Sequence, residues 1–139
     1  MSRPSWDDTW MKVVNAIAER SNDETFKVGA VIVTRDNTQA IAIGYNGNAP
    51  GLPHVKESDE PGKSGYLHAE ENAIIKMDFH HHAKKVLYVT LSPCVMCCKR
   101  ILAARIDEVV YKDRYRDVSG LSILESQGVI VRQYVPQNT

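Results

Sequence analysis

No stretch of this 139-residue chain comes near the roughly 18 consecutive apolar residues that a membrane-spanning helix needs. Neither sign of charge prevails, since seventeen Lys and Arg stand against seventeen Asp and Glu. A polynucleotide or an anionic lipid surface is drawn in by a net positive field, so both are disfavoured as partners. The start of the chain lacks a basic region leading into an apolar run and carries Trp6, Asp7, Asp8 and Trp10 instead, so no secretory leader is expected. Cysteine is scarce, and the three present, Cys94, Cys97 and Cys98, crowd into five residues. That layout suits a metal site and is a poor disulfide framework. These absences predict a soluble, cytoplasmic protein. Its length and 43% apolar content suffice for one core, and a single domain over residues 1–139 is expected.

Apolar residues recur at helical spacing as Trp6, Trp10, Val13, Val14 and Ile17, with Ser5 placed to cap and Asp7 and Asp8 in the first turn. Residues 28–34 (VGAVIVT) and 39–45 (QAIAIGY) flank Arg35-Asp36-Asn37-Thr38 and read as an antiparallel hairpin, apolar enough to be buried on both faces. Residues 46–66 are rich in proline and glycine and too long for an ordinary connection, which points to a functional loop. A helix is predicted from Leu67, fading into His80-His81-His82; then come a buried strand at 86–90 and a helix with Pro93 at its first position. A strand at 108–111, a short helix near 121–126 and a last strand near 128–134 follow. Strand, helix, strand at this spacing implies a parallel crossover. The fold class expected is therefore α/β, a three-layer α/β/α arrangement with a mixed five-stranded sheet and helices on both faces.

The residues that carry chemistry are His68-Ala69-Glu70 and Pro93-Cys94-Val95-Met96-Cys97. Cys94 and Cys97, three apart at a helix start, can aim both sulfurs at one point, and His68 at the start of the preceding helix can reach the same point. Three protein ligands leave one corner of a tetrahedral Zn2+ open, as in a catalytic site. Helix N-termini favour thiolate over thiol. Glu70 lies two residues past His68, in the first helical turn. There it can take a proton from water, pass it to a ring nitrogen and finally protonate departing ammonia. Cys98 points about 100° away from Cys97 around the helix and reads as an ordinary buried thiol. The His80-His81-His82 run reads as an exposed helix end.

H-x-E followed by P-C-x-x-C is the signature of zinc deaminases, and the chain resembles the cytidine deaminase superfamily over nearly its whole length. Within it the chain resembles the deoxycytidylate deaminases, through Gly44-Tyr45-Asn46-Gly47 with Pro50 and Gly51, Glu71-Asn72-Ala73-Ile74, and Tyr115-Arg116-Asp117. The resemblance implies hydrolytic deamination of dCMP to dUMP, supplying dUMP for dTMP synthesis, with one catalytic Zn2+ held by His68, Cys94 and Cys97 and with Glu70 as proton carrier. It implies substrate contacts from Lys27, Asn46, Ala69, Ser92, Arg114 and Tyr115, the last two at the 5′-phosphate and base end. Many members of this branch are homo-hexamers activated by dCTP and inhibited by dTTP. If that carries over, Asn46, Gly47, Gly51, Glu71 and Asn72 line an effector pocket, Mg2+ screens the triphosphate, and the 46–66 loop is its lid. Relatives commonly hold a second, structural zinc on cysteines before the VGAVIV strand and a His-Cys pair after the GYNG loop. This chain has Ser21-Asn22-Asp23-Glu24-Thr25-Phe26 in the first place and His54-Val55 in the second, so a second site built that way is not expected.

Rival activities share the zinc pattern. Deamination of tRNA adenosine is opposed by the balanced charge, because a folded polyanion demands a basic face. Guanine, cytidine and deoxycytidine remain as substrates that need no phosphate anchor. A non-catalytic zinc module would leave Glu70 with nothing to do.

Overall fold

The computed structural model describes residues 3–137. Helix α1 (Trp6–Ala18) is followed by strands β1 (Gly29–Thr34) and β2 (Ala40–Tyr45), helix α2 (Ala69–Lys76) and strand β3 (Lys85–Leu91). Helix α3 (Val95–Ala103), strand β4 (Glu108–Asp113), helix α4 (Ser119–Ser126) and strand β5 (Ile130–Gln133) complete the order. The five strands form one sheet in the order β2-β1-β3-β4-β5, antiparallel from β2 to β3 and parallel from β3 to β5. None of the described helices is long and apolar enough to cross a membrane.

The sheet separates two cores. On one face Ile32, Leu87, Val89 and Val109 meet Ala69, Ala73 and Ile74 of α2, Cys98 and Ile101 of α3, and Leu121 and Leu124 of α4. On the other, Val31, Val33, Tyr88 and Val110 meet Met11 and Val14 of α1. The α/β/α layering expected from the element order is thus present, with α1 alone on its side. Strand β1, in the middle of the antiparallel part, is buried along its whole length. Each fully buried Val or Ile there contributes about 1.5 to 3 kcal/mol of transfer free energy.

Strand β2 departs from expectation. It is not buried on both faces: it is the sheet's edge, and Ile43 is 43% exposed. Its apolar composition reflects contact with α2 on one face only, since α1 lies over β1 and β3 and leaves the other face open. Where α2 does cross it, Gly44 is required. A Cβ there would run into the carbonyl oxygen of Ala69 and the amide nitrogen of Ala73. Glycine thereby lets the N-terminus of α2 settle onto the sheet. A second departure is Pro93, which precedes the helix instead of opening it. Cys94 is the N-cap of α3, its Sγ accepting from the Cys97 amide.

Polar contacts fasten α1 to the sheet. Ser5 Oγ caps it by accepting from Asp8 N at 3.1 Å. Asp7 accepts from Tyr88 Oη at 2.6 Å and pairs with Arg132 at 2.8 Å, while Arg132 Nε also donates to Glu108 at 2.7 Å. Tyr134 Oη donates to Asp8 at 2.6 Å. Burial alone would push the Asp7 carboxyl up, but hydrogen bonds from Arg132 and Tyr88 and the Arg132 charge outweigh it and hold Asp7 below its ordinary value. A carboxyl depressed in the folded state adds stability above its unfolded value, near 3.9, and that stability is lost as pH falls through the folded value. Asp7→Asn is therefore expected to lower unfolding free energy by about 1 kcal/mol at pH 7, the partial exposure keeping the figure small. In urea titrations the gap to wild type should close below about pH 4. A gap that persists there would separate the effect from the Asp7 charge.

Candidate active site

The two helices that carry the signature residues begin at the same end of the sheet. His68 is the N-cap of α2 and Cys94 the N-cap of α3, both with extended backbone. An N-cap side chain turns back toward the free amides of its own helix, so two such helices starting side by side point their cap residues at one another. His68 Nδ1 lies 3.2 Å from Cys97 Sγ and 3.5 Å from Cys94 Sγ. All three ligand atoms fall within 4.8 Å of one another, and among the described residues no other group of three His, Cys, Asp or Glu side chains converges in this way. A tetrahedral zinc with bonds of about 2.3 Å to sulfur and 2.0 Å to nitrogen has N–S edges of about 3.5 Å. The residues present therefore fit zinc without rearrangement, and with three donors they would leave one coordination position for water or substrate.

Charge agrees with that reading. The thiol of Cys97 donates to Cys94, and with His68 and the Cys97 amide this draws Cys94 down to about 3 against the opposing effect of burial. Cys97 is pushed up because its proton is held by Cys94 and because it is buried. One thiolate is thus ready-made, and a cation would release the proton from the other. Hydrogen bonding to Cys94 raises His68. Glu70 is 4% exposed, and its burial pushes the carboxyl up to about 7 before any metal charge is counted.

A cleft of about 580 Å3 opens over this cluster. Its floor includes His68, Ala69, Glu70 and Cys94, and Asn46, Ser92, Tyr115 and Arg116 stand around it, with residues 58–62 of the long loop forming one wall. Ser92, buried, accepts at Oγ from Tyr115 N at 2.7 Å, which fixes where Tyr115 leaves the end of β4. The Arg116 guanidinium lies 5.0 Å from the centre of the Tyr115 ring, and its Nη2 donates to Pro61 O at 3.2 Å, joining the loop wall to the opposite rim.

The structure thus brings Asn46, Ala69, Glu70, Ser92 and Tyr115 to the cleft lined by His68 and Cys94, with Cys97 buried behind them. It places Lys27 and Arg114 outside that lining, both exposed; Lys27 Nζ donates to Ser21 O at 3.1 Å. Of the five residues assigned by resemblance to an effector pocket, Asn46 and Glu71 line the cleft, and Gly47, Gly51 and Asn72 do not. Several of these side chains are engaged within the fold. Asn46 accepts from Val28 N and donates to Phe26 O. Glu71 accepts from His68 N at 3.0 Å and pairs with Arg100 at 3.1 Å, and Asn72 donates to Tyr45 O. In the region where relatives were expected to hold a second metal, Lys56 pairs with Asp23 at 3.0 Å and Asn22 meets His54 at 3.2 Å. His81 is fixed by Ala83 N and Gln39, beside a separate cavity that His80 and His82 also line.

Residues 4–113 match the family described as the cytidine and deoxycytidylate deaminase zinc-binding region. The chain belongs to this deaminase family. Among curated family members, the deoxycytidylate deaminase of Schizosaccharomyces pombe is 37% identical over 96% of the chain, and that of Mycobacterium phage D29 is 36% identical over 80%. The chain spans 45% of the length of the first and 97% of the second. Its fold matches the dCMP deaminase of cyanophage S-TIM5 in complex with dCMP and dUMP with a TM-score of 0.84. The two are 31% identical over 96% of this chain and 100% of that one.

Arg116 entered the sequence reading only as part of the Tyr115-Arg116-Asp117 stretch and Glu71 only as an effector residue, whereas Arg100 and the Asp23–Lys56 pair, which also line the cleft, carried no sequence signal. The ligand geometry predicts that Cys94→Ala purifies with well under one zinc per chain by atomic absorption, whereas Arg114→Ala keeps full occupancy. A Cys94→Ala protein with stoichiometric zinc would remove Cys94 from the ligand set.

Proposed function

We propose that this chain deaminates dCMP hydrolytically, with water and dCMP giving dUMP and ammonia. The observation that carries the reading is the buried carboxyl of Glu70 on the same cleft floor as His68 and Cys94, which converge with Cys97 on one point. Bound by His68, Cys94 and Cys97, zinc would act as a Lewis acid that makes water a nucleophile at neutral pH. The chain's own contribution is to move protons. Glu70 Oε takes a proton from the attacking water and delivers it to N3 of the ring as the oxygen bonds to C4. When the C4–N4 bond breaks, the same carboxyl carries the proton of the new C4 hydroxyl to the departing amine, so that ammonia leaves and C4 keeps its oxygen as a carbonyl. Burial raises this carboxyl and a bound cation would draw it back down, so the same group can both take and give a proton at working pH.

Selection of a monophosphate needs a cation at the rim, and the cleft offers three. Lys56 is paired with Asp23 and Arg100 with Glu71, so Arg116 is the cleft cation with no carboxylate partner among the described residues. Its fork suits a phosphate, and Tyr115 beneath it offers a ring face and a hydroxyl. In this reading Arg116 carries the 5′-phosphate in place of Arg114. The relatives named for dCMP support the substrate.

Control by dCTP and dTTP is left out of the proposal. Asn46, Glu71 and Asn72 already spend their side-chain polar groups on the fold. An effector there would have to displace those bonds or read only the backbone at Gly47 and Gly51. No Mg2+ site and no hexamer are assigned.

Glu70→Gln should retain one zinc per chain and lose turnover by about 10²- to 10⁴-fold in an ammonia-release assay; retained turnover would take Glu70 out of the mechanism. Arg116→Ala should raise KM for dCMP roughly ten- to a hundredfold, the worth of a charge-assisted contact. Deoxycytidine turnover should stay unchanged, and Arg114→Ala should leave both alone. Equal losses on nucleotide and nucleoside would argue against a phosphate role for Arg116.

A further inference from the structure

Gly120 is the second residue of α4, buried, with no positive φ to explain a glycine. Alanine is the better helix former at such a position, so the reason for glycine lies in what it touches. A Cβ on Gly120 would stand 2.7 Å from Cys98 Sγ, 3.3 Å from Cys98 Cβ and 3.1 Å from Val95 Cα. Those atoms belong to the first turn of α3, the turn whose Cys94 and Cys97 supply both sulfurs of the candidate zinc site. Cys98 cannot swing aside, being fully buried with its Sγ directed at Pro93 O. The residues leading into α4 are Tyr115, Arg116 and Asp117, all lining the cleft.

We propose that the packing of Gly120 on Cys98 is the brace that holds the zinc-ligand turn and the Tyr115–Arg116 rim at a fixed separation, which makes Gly120 and Cys98 positioning residues for the reaction. The inference rests on the dCMP reading for its kinetic consequence and on the zinc ligands for its metal consequence. The two can be measured separately. A side chain at 120 wedges α4 away from α3. Because α3 is held from its other side by the Glu71–Arg100 pair, the displacement falls first on α4 and on the rim attached to it. Cys98 thereby acquires a role, as a residue that fills the core yet is slim enough for helix backbones to close over it.

The test is a pair of substitutions in which the second vacates the space the first invades. Gly120→Ala should raise KM for dCMP about tenfold, the scale of sub-ångström misplacement of binding groups, with kcat within about twofold; it should also release zinc to a chelator faster than wild type. Cys98→Ala alone removes the sulfur side of the contact and should raise KM and quicken zinc release in the same direction as Gly120→Ala, by a smaller factor. The Gly120→Ala, Cys98→Ala double variant should recover most of both losses, although the new methyl still presses on Val95. Unchanged KM and zinc release in Gly120→Ala would overturn the proposal, as would a double variant as impaired as Gly120→Ala. A lowered melting temperature with unaltered KM and zinc release would reduce the contact to ordinary packing and also overturn it. If Gly120→Ala does not fold, a folded, zinc-loaded double variant supports the brace and an unfolded one overturns it. If wild type fails to turn over dCMP, the substrate reading falls, while zinc release still decides the brace.

Discussion

Everything at the active end of this protein depends on two helix N-termini facing each other across the end of β3. Each begins at an N-cap residue that is also a candidate metal ligand, His68 on α2 and Cys94 on α3. The unsatisfied amides at a helix start attract negative charge. Two such starts aimed at one point make a place where thiolates are stabilised and where, without a cation, sulfur and imidazole crowd together over a shared proton. The Glu71 side chain locks the arrangement. One of its oxygens accepts from the His68 amide and the other from Arg100 on α3, so a single carboxylate ties the cap of one helix to the body of the other. Its place in the sequence, directly after Glu70, puts it at the third position of α2, where a capping-box carboxylate reaches back to the cap.

The cleft above inherits its charge pattern from this framework. Acidic groups outnumber basic ones along its lining; Asp23 and Glu71 are paired with Lys56 and Arg100, and Arg116 remains as the cation with no carboxylate partner among the described residues. In the present structure it donates to the carbonyl of Pro61. A phosphate would compete for that guanidinium as a charged acceptor against a neutral one and prevail, since charge-assisted bonds are about twice as strong. Exchange of the carbonyl for a phosphate would leave the loop carrying Pro61 held by Lys56–Asp23 at its base and free at its tip. The formally neutral chain is thus no obstacle to binding an anionic nucleotide, because what counts is the local uncompensated charge at the rim.

The sequence pattern was most readable where a side chain's role depends on its immediate neighbours. Helical spacing located α1 with its Ser5 cap, and the three-residue interval of Cys94 and Cys97 placed both sulfurs on one spot. It was least readable where a role depends on partners distant in sequence. An apolar strand looks alike in the middle of a sheet and at its edge, so β2 seemed buried on both faces until α1 proved to lie elsewhere. Arg114 and Arg116 flank the same tyrosine and are both exposed, and only the fold shows that Arg116 borders the cleft, reaching Pro61 O, while Arg114 does not. Glu71, Asn72 and Asn46 look like ligand-reading polar residues in a linear motif, but their bonds to Arg100, Tyr45 and Phe26 show side chains spent on the fold.

Glu70 is where folding cost and function separate. A carboxyl 4% exposed and pushed up to about 7 is destabilising to the folded state at neutral pH relative to the same group in water. Its neighbour Glu71, one residue on in the same helix turn, satisfies the helix start and the cross-helix pair. The fold therefore has no remaining need of a second carboxylate there. A cation held by His68, Cys94 and Cys97 changes the balance, because a positive charge nearby favours the ionised form and makes proton uptake and release at Glu70 respond to whatever occupies the fourth position. The expense of burying Glu70 would be explicable under the proposed reaction, in which the group exchanges a proton within the cleft. That demand, more than any single contact distance, would separate this site from a purely structural zinc knuckle.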